Sequence, residues 1–490
     1  MTGAAAGSLR GLFRSSSIYA LSNLLQRGAG FLLVPLYAHY FSTAEFGAMD
    51  QIYQGALLLI LVTSIGLPQG LVRGIHLDTE TEEERRRLVG ALVAFLVPVA
   101  VLAAALLVAW RQAVARLLFR DAGEPAWIAL GAGFFLALSL YQMPMELLKV
   151  RRRAAHYVAW SLSTFVLIVA GNLYFIVGRG MGLKGMLLAG ILAYGGVAAA
   201  LWARSLGAIG WNLEFRRLAP LFAFGLPMLP GLLCRKILEV ADRYMIPWYH
   251  GLDELGIYVM GAKVAAIVEV LVLVPFLYAW QPFFYSRAGD PAAPRLFARA
   301  THAMALLLAA LFLSVLAARD VILEVLGRGR FAAAGPVVSV LVMAVMCNGL
   351  QYCVSAGIHL KRRLVPEMFI MVGAAALNLI LNVVLIPPFR GMGAAIATLA
   401  AYAAYLAGTF VLAQRSYPIR YPWGRIANVA LQTLAAAVVL AFTGPLALRL
   451  AIVGIWVVTC PVADLARHGE LGARLPWRGA AAGGGPEAGA

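Results

Sequence analysis

Long apolar stretches separated by short polar segments fill most of the chain. About 20 apolar residues are needed to cross a bilayer as a helix. The pattern therefore predicts an all-α integral membrane protein with fourteen transmembrane helices, at about 15–41, 46–72, 88–109, 126–148, 158–177, 185–203, 218–246, 255–284, 298–318, 334–358, 367–388, 392–413, 425–444 and 447–464.

The chain also repeats itself. Arg-Gly-Met-Gly occurs at 179–182 and again at 390–393, and YFSTAEFG at 40–47 aligns with YHGLDELG at 249–256 with an offset of 209. Repeats of this size in an apolar chain are typical of transporters whose substrate site lies between the two copies.

Six predicted helices per copy imply two parallel lobes around a central cavity, 1–217 and 218–413. Helices 13 and 14, at 414–464, have no counterpart. The segment 465–490 ends in GAAAGGGPEAGA, cannot bury a core and is predicted to be a disordered cytoplasmic tail.

Composition agrees with a membrane protein, since 62% of residues are hydrophobic and 13% are charged. The net charge of +17 does not indicate nucleic acid, because the basic residues lie in short loops between apolar runs, where they orient helices. Of 40 Lys and Arg residues, 25 fall on the side that includes both termini and 10 on the other. The positive-inside rule therefore predicts a multi-pass plasma-membrane protein with both termini in the cytoplasm.

Charged residues within the predicted helices are the candidate chemistry. Arg27 lies roughly 14 Å deep by helical rise, and the repeat offset places Gln26 and Arg27 opposite Arg235 and Lys236. Ion pairing is one interpretation, with Glu239 bound to Arg235 or Arg243 and Asp242 to a basic neighbour. The other is a cavity for an anionic substrate, because cations exceed acids once Asp50 and Asp242 are placed near the outer interface.

Several stretches carry a family resemblance: LVPLYAHYFSTAEFGAMD, GLPMLPG, ADRYMI, DELGIYVMGAKVA, PFLYAWQPFF and ALNLILNVVLIPPFRGMGAAIAT. In this order they resemble the multidrug/oligosaccharidyl-lipid/polysaccharide (MOP) exporter superfamily, in its polysaccharide-transporter branch of Wzx-type flippases. The resemblance implies export of a polyprenyl-pyrophosphate-linked oligosaccharide by alternating access for cell-surface polysaccharide such as O-antigen. It also implies an inner-membrane location beside lipid and other polysaccharide-assembly proteins.

The resemblance further implies which residues bind the pyrophosphate: Arg27, Arg235, Lys236 and Lys263, with Gln26 beside them. Asp242 and Arg243 belong to a family motif for which a structural or gating role is expected. Asp50, Glu239 and Glu269 are candidates for coupling to a proton or sodium ion, although a carboxylate paired with arginine is a poor proton carrier.

Other functions stay open on the sequence. A peptidoglycan lipid-precursor flippase would share the fourteen helices and the cationic cavity, whereas a multidrug antiporter would be expected to have twelve helices and an acidic cavity. A polysaccharide polymerase or ligase would need a large external loop, and a scaffold would not need duplicated halves with deep charges. No motif for nucleotide phosphates, metals or nucleophilic catalysis is present, so neither a cofactor nor an enzymatic activity is expected.

Overall fold

A computed structural model of the protein describes residues 31–67, 71, 74–75, 79, 81–120, 123–151, 153–205 and 214–467. All regular elements in these ranges are helical, and ten are long and apolar enough to cross a membrane. The predicted all-α membrane fold is confirmed. Of the first predicted helix only the part from residue 31 lies in the described residues, and 468–490 lie outside them.

The described residues of the first half form seven α-helices, and a π-helical turn, Leu173–Gly178, extends the sixth. Glu82–Ala109 begins with a capping box in which Thr81 and Glu84 satisfy each other's backbone donors. The bounds are α1 Val34–Tyr40, α2 Thr43–Ser64, α3 Glu82–Ala109, α4 Arg111–Phe119, α5 Pro125–Val150, α6 Ala154–Asn172 and α7 Gly182–Ser205.

The second half contains α8 Ala219–Gly225, α9 Leu229–Val268, α10 Val274–Ser286, α11 Ala293–Gly327, α12 Gly335–Val354, α13 Ala356–Leu360, α14 Leu364–Ser416, α15 Trp423–Phe442 and α16 Leu446–Arg467. Non-helical backbone interrupts α9 at Gly251 (φ 84°) and α14 at Arg390 (φ 53°). Each of these two long helices therefore holds two of the predicted spans. Because two of the ten long apolar helices hold two spans each, the ten helices provide more than ten membrane crossings.

Two glutamates at equivalent repeat positions anchor the two Arg-Gly-Met-Gly motifs. Glu45, in the first turn of α2, accepts a hydrogen bond from the Leu183 N–H at 3.3 Å. Glu254, 209 positions later, accepts one from the Gly391 N–H at 3.0 Å. In each copy, the segment that contains the glutamate therefore binds the segment that contains the Arg-Gly-Met-Gly motif. We call the side of the molecule that carries these contacts the motif face, and the opposite side, with the loops near 151, 290 and 362, the basic face.

The two halves also touch each other at the motif face through equivalent glycines. A Cβ on Gly47 would lie 2.6 Å from the Leu252 carbonyl oxygen, and a Cβ on Gly256 would lie 2.0 Å from that of Thr43. Real Cβ contacts are not this short, so only glycine permits the crossing of α2 and α9 at this distance. Thr43 and Leu252 are themselves 209 positions apart, which makes the contact reciprocal.

The largest cluster of buried hydrophobic side chains has members from Leu33 to Cys460, so both halves contribute to it. Helices α15 and α16 pack against α11, and Arg449 at the start of α16 pairs with Asp320 of α11. The boundaries of the lobes at 217 and 413 stay a prediction.

Candidate functional site

The first half of α9 carries a charged stripe whose side chains contact α2 and α12. Arg235, Glu239 and Arg243 recur at intervals of four residues, which places them on one side of a helix, and Lys236 flanks them. Helix α9 packs extensively against α2 and α14. The stripe therefore lies at the junction between the two sequence repeats.

Arg235, Lys236 and Glu239 form the first of two groups in the stripe. Glu239 is 3.5 Å from Arg235 Nε and 3.6 Å from Lys236 Nζ, so two cations share one carboxylate at long distances. The Glu239 side chain is 39% exposed and that of Arg235 is 36% exposed. This cationic group carries a formal charge of +1, and part of its hydrogen-bonding capacity faces open space.

Neutral neighbours orient the two cations of this group. Lys236 Nζ donates to Gln54 Oε1 of α2 at 2.9 Å. The Arg235 guanidinium donates to the Tyr352 hydroxyl and lies 5.5 Å from the centre of that ring. Because an amide oxygen and a phenol do not neutralise a cation, the group keeps its positive charge.

A second group is tightly paired. Asp50, only 1% exposed, accepts from Arg243 Nε at 2.9 Å and from Lys263 Nζ at 2.6 Å. Arg243 Nη1 also binds Asp242 at 2.8 Å, and the Tyr258 hydroxyl donates to Asp242 as well. These four charges cancel, and we call Asp50, Asp242, Arg243 and Lys263 the charge clamp. Since Asp50 belongs to α2 and its partners to α9, the clamp joins the halves.

The sequence prediction of the charge pattern is correct in part. Pairing of Glu239 with Arg235 and of Asp242 with Arg243 is confirmed. Leaving Asp50 and Asp242 out of the charge balance was wrong, because they directly neutralise Arg243 and Lys263. The predicted cation surplus is thus confined, among the described residues, to the cationic group.

Three predicted site residues remain to be placed. Gln26 and Arg27 lie outside the described residues. Glu269 begins a π-helical turn, Glu269–Leu273, and shares the neighbour Tyr402 with Arg235 and Glu239. Tyr352 and Tyr258 were not predicted, because each lies in an apolar run with no signal beyond its aromatic ring.

The described part of the chain contains no group of three or more His, Cys, Asp or Glu side chains that could hold a metal ion. The four cysteines are free thiols; Cys353 and Cys460 are buried, and Cys234 and Cys347 are half-buried.

Comparison with protein families matches residues 12–286 to a family described as "Polysaccharide biosynthesis protein". The matched region includes α2, the stripe on α9 and Lys263, and thus every described residue of both charged groups. No curated protein sequence matches the chain.

Solved structures share the fold at low sequence identity. The lipid II flippase MurJ in an inward closed conformation is 11% identical, with a TM-score of 0.76 over 92% of this chain and 99% of MurJ. A variant of the MATE transporter VcmN from Vibrio cholerae is 15% identical, with a TM-score of 0.58 over 83% and 96%. A MOP superfamily transporter from Pyrococcus furiosus, described as having a binding pocket of reverse polarity, is 11% identical, with a TM-score of 0.55 over 84% and 96%.

Proposed function

The chain belongs to the polysaccharide biosynthesis protein family of the MOP exporter superfamily, and we propose that it is a flippase for a polyprenyl-pyrophosphate-linked oligosaccharide. The substrate would move from the cytoplasmic to the outer leaflet of the inner membrane, with the basic face and both termini in the cytoplasm. Family membership and the multi-pass membrane fold support a transporter. The choice of substrate depends on the charged stripe.

One observation carries the proposal: Arg235 and Lys236 share a single, half-exposed carboxylate at long distance. A pyrophosphate offers more negative charge and more acceptor oxygens than Glu239, and arginine binds such oxygens in a bidentate way. The pyrophosphate can therefore displace Glu239 and bind both Arg235 and Lys236. Lys263 would join only after leaving Asp50, which makes it a second, conditional ligand. Gln26 and Arg27 complete the proposed set from the first copy.

The arrangement also suggests how the site gains access to each side. The glycine crossing closes the motif face, which agrees with a state in which the cationic group receives substrate from the basic face. Separation of α2 from α9 at Gly47 and Gly256 would then open the motif face and release the sugar. The lipid tail would stay in the bilayer throughout.

The first prediction is that Arg235→Ala and Lys236→Ala each weaken binding of the pyrophosphate head. A hydrogen bond to a charged group contributes about 1.5–3 kcal/mol, which corresponds to roughly 10- to 100-fold in affinity. The measurement is translocation of a fluorescent polyprenyl-pyrophosphate oligosaccharide in proteoliposomes. Lys184→Ala is the matched control, because Lys184 pairs with Glu124 at the motif face, away from the stripe.

Two further substrates in the same assay separate the alternatives. A peptidoglycan lipid precursor and a cationic drug are offered to the wild-type protein under identical conditions. Transport of the oligosaccharide lipid supports the proposal. Transport of only the peptidoglycan precursor, or of only the drug, would overturn it, as would unchanged rates in both alanine variants.

A further inference from the structure

A buried carboxyl group lies outside both charged groups, at the basic face of the second half. Glu367 is in the first turn of α14 and is 9% exposed. Its Oε1 accepts from Gln351 Nε2 at 3.2 Å, and its Oε2 lies 3.8 Å from His359 Nε2. This role could not be predicted from the sequence, because Glu367 follows the basic loop Lys361–Arg363 and resembles an ordinary interfacial residue.

Glu367 differs from the other carboxylates in what balances its charge. Both oxygens of Asp50 are held by cations, so Asp50 stays ionised. In the part of the chain that the structure describes, Glu367 has no lysine or arginine within ion-pair distance. A buried charge without a full counter-charge is unfavourable, so the neutral form of the carboxyl group gains relative to the ionised form.

Other groups around Glu367 favour the ionised form. The N-terminus of α14 carries a partial positive charge, His359 can be protonated, and the Arg235 guanidinium acts across a longer distance. Tyr405, on the far half of the same helix, adds a hydrogen bond. Opposing influences of this kind bring the two protonation states close in free energy, as a carboxyl that exchanges a proton requires.

A route between Glu367 and water passes through His359. The His359 side chain is 32% exposed and belongs to α13, at the edge of the basic face. A proton taken up on the imidazole can pass to Glu367 Oε2 once the two groups approach, which turns the carboxylate into a neutral acid and leaves the imidazole neutral.

Glu367 is also linked to the cationic group. Gln351 binds Glu367, and the next residue, Tyr352, accepts from Arg235. Tyr405 interacts with both Glu367 and Arg235. Ionised Glu367 therefore draws Arg235 toward α12 and α14, whereas protonated Glu367 exerts no such attraction.

We propose that Glu367 is the proton-binding carboxyl of the transport cycle, with His359 as its connection to the basic face. Proton binding at Glu367 releases Arg235 to bind the anionic head of the substrate, and proton loss draws Arg235 back. The proposal rests on the proposed flippase function and adds its coupling ion. It names a coupling candidate in addition to Glu239 and Glu269, and in place of Asp50, whose two oxygens are held by cations.

The test uses the full chain in proteoliposomes with a fluorescent polyprenyl-pyrophosphate oligosaccharide outside and a pH-sensitive dye inside. The second prediction is that wild-type translocation and proton movement both depend on pH, because protonation of Glu367 frees Arg235 for the substrate. Glu367→Gln, which stays neutral, should translocate at a rate independent of pH and move no protons. His359→Gln should slow proton movement several-fold and keep the pH dependence of substrate binding.

Glu324→Gln is the matched control, because Glu324 is an exposed carboxylate at the motif face end of α11. It should behave as the wild type in both measurements. Translocation by Glu367→Gln with unchanged pH dependence would overturn the inference and leave the flippase intact. Proton movement that depends on Glu367, with no translocation of this lipid by the wild type, would support the proton site and reject the substrate. Wild-type proton movement in His359→Gln would overturn the route.

Discussion

At the scale of single residues, Asp50 is the most constrained charge in the described structure. It is buried in α2 and takes both of its ion pairs from α9, with Arg243 and Lys263. Removing one partner of a buried pair leaves the other charges uncompensated, which costs far more than the pair itself contributes. Asp50 is thus better suited to holding the halves together than to carrying a proton.

The third prediction follows from this position. Asp50→Asn keeps the shape of the side chain and removes its charge, so it should lower the free energy of unfolding by about 3–5 kcal/mol. Thermal unfolding in detergent measures the effect. Asp290→Asn, at an exposed Arg287 pair on the basic face, is the control and should leave the transition unchanged. Equal stability of Asp50→Asn and wild type would contradict the charge clamp.

Prediction of these contacts from the sequence was limited by distance along the chain. The pairing of Arg235 with Glu239 could be predicted, because residues four apart share a helix face. The second partner of Arg243 could not, since Asp50 is 193 positions away. The same limit hid the bond between Lys236 and Gln54, which are 182 positions apart.

At the scale of helices, the crossing of α2 and α9 explains why the repeat keeps a glutamate and a glycine two residues apart. The glutamate of each copy, Glu45 or Glu254, anchors the Arg-Gly-Met-Gly turn of its own copy. The glycine, Gly47 or Gly256, lets the helices of the two copies meet. Sequence comparison found both matches and predicted the helices that carry them. It could not show that the matches touch, because that depends on how the helices pack.

The fourth prediction tests the crossing. Gly256→Leu places a side chain where the Thr43 carbonyl oxygen lies 2.0 Å from the Cβ position, so α2 and α9 must separate. The motif face should then open more often, and a Thr43→Cys reporter should react several-fold faster with a membrane-impermeant thiol reagent.

Gly373→Leu is the matched control, because nothing lies within 4 Å of its Cβ position on α14. It should leave the reactivity of the reporter unchanged. If Gly256→Leu also left it unchanged, then the glycine contact would not keep this face closed.

At the scale of the whole molecule, the motif face is closed by contacts between the halves. Arg330, in the turn after α11, donates to the backbone carbonyl oxygens of Ala38 at 2.6 Å and Phe41 at 2.9 Å. The Thr43 hydroxyl donates to Asp253 beside the glycine crossing. The charged stripe lies on the part of α9 that precedes this crossing. A transporter that opens alternately to the two sides of the membrane must separate these contacts once in each cycle. The repeat places equivalent surfaces of the two halves on either side of the contact.

The fifth prediction is that a covalent link across this closure stops transport. Thr43→Cys with Asp253→Cys places two thiols where two side chains already meet, so mild oxidation should join them. Translocation of the oligosaccharide lipid should then fall by at least about tenfold, and a reductant should restore it, because only opening of this face is blocked. The variants that carry only one of the two substitutions control for disulfides at other positions, because they also retain the four native cysteines. Translocation at the wild-type rate by fully cross-linked protein would mean that substrate leaves without separation of α2 from α9. The site at Arg235 and Lys236 would then need an exit through the membrane between other helices.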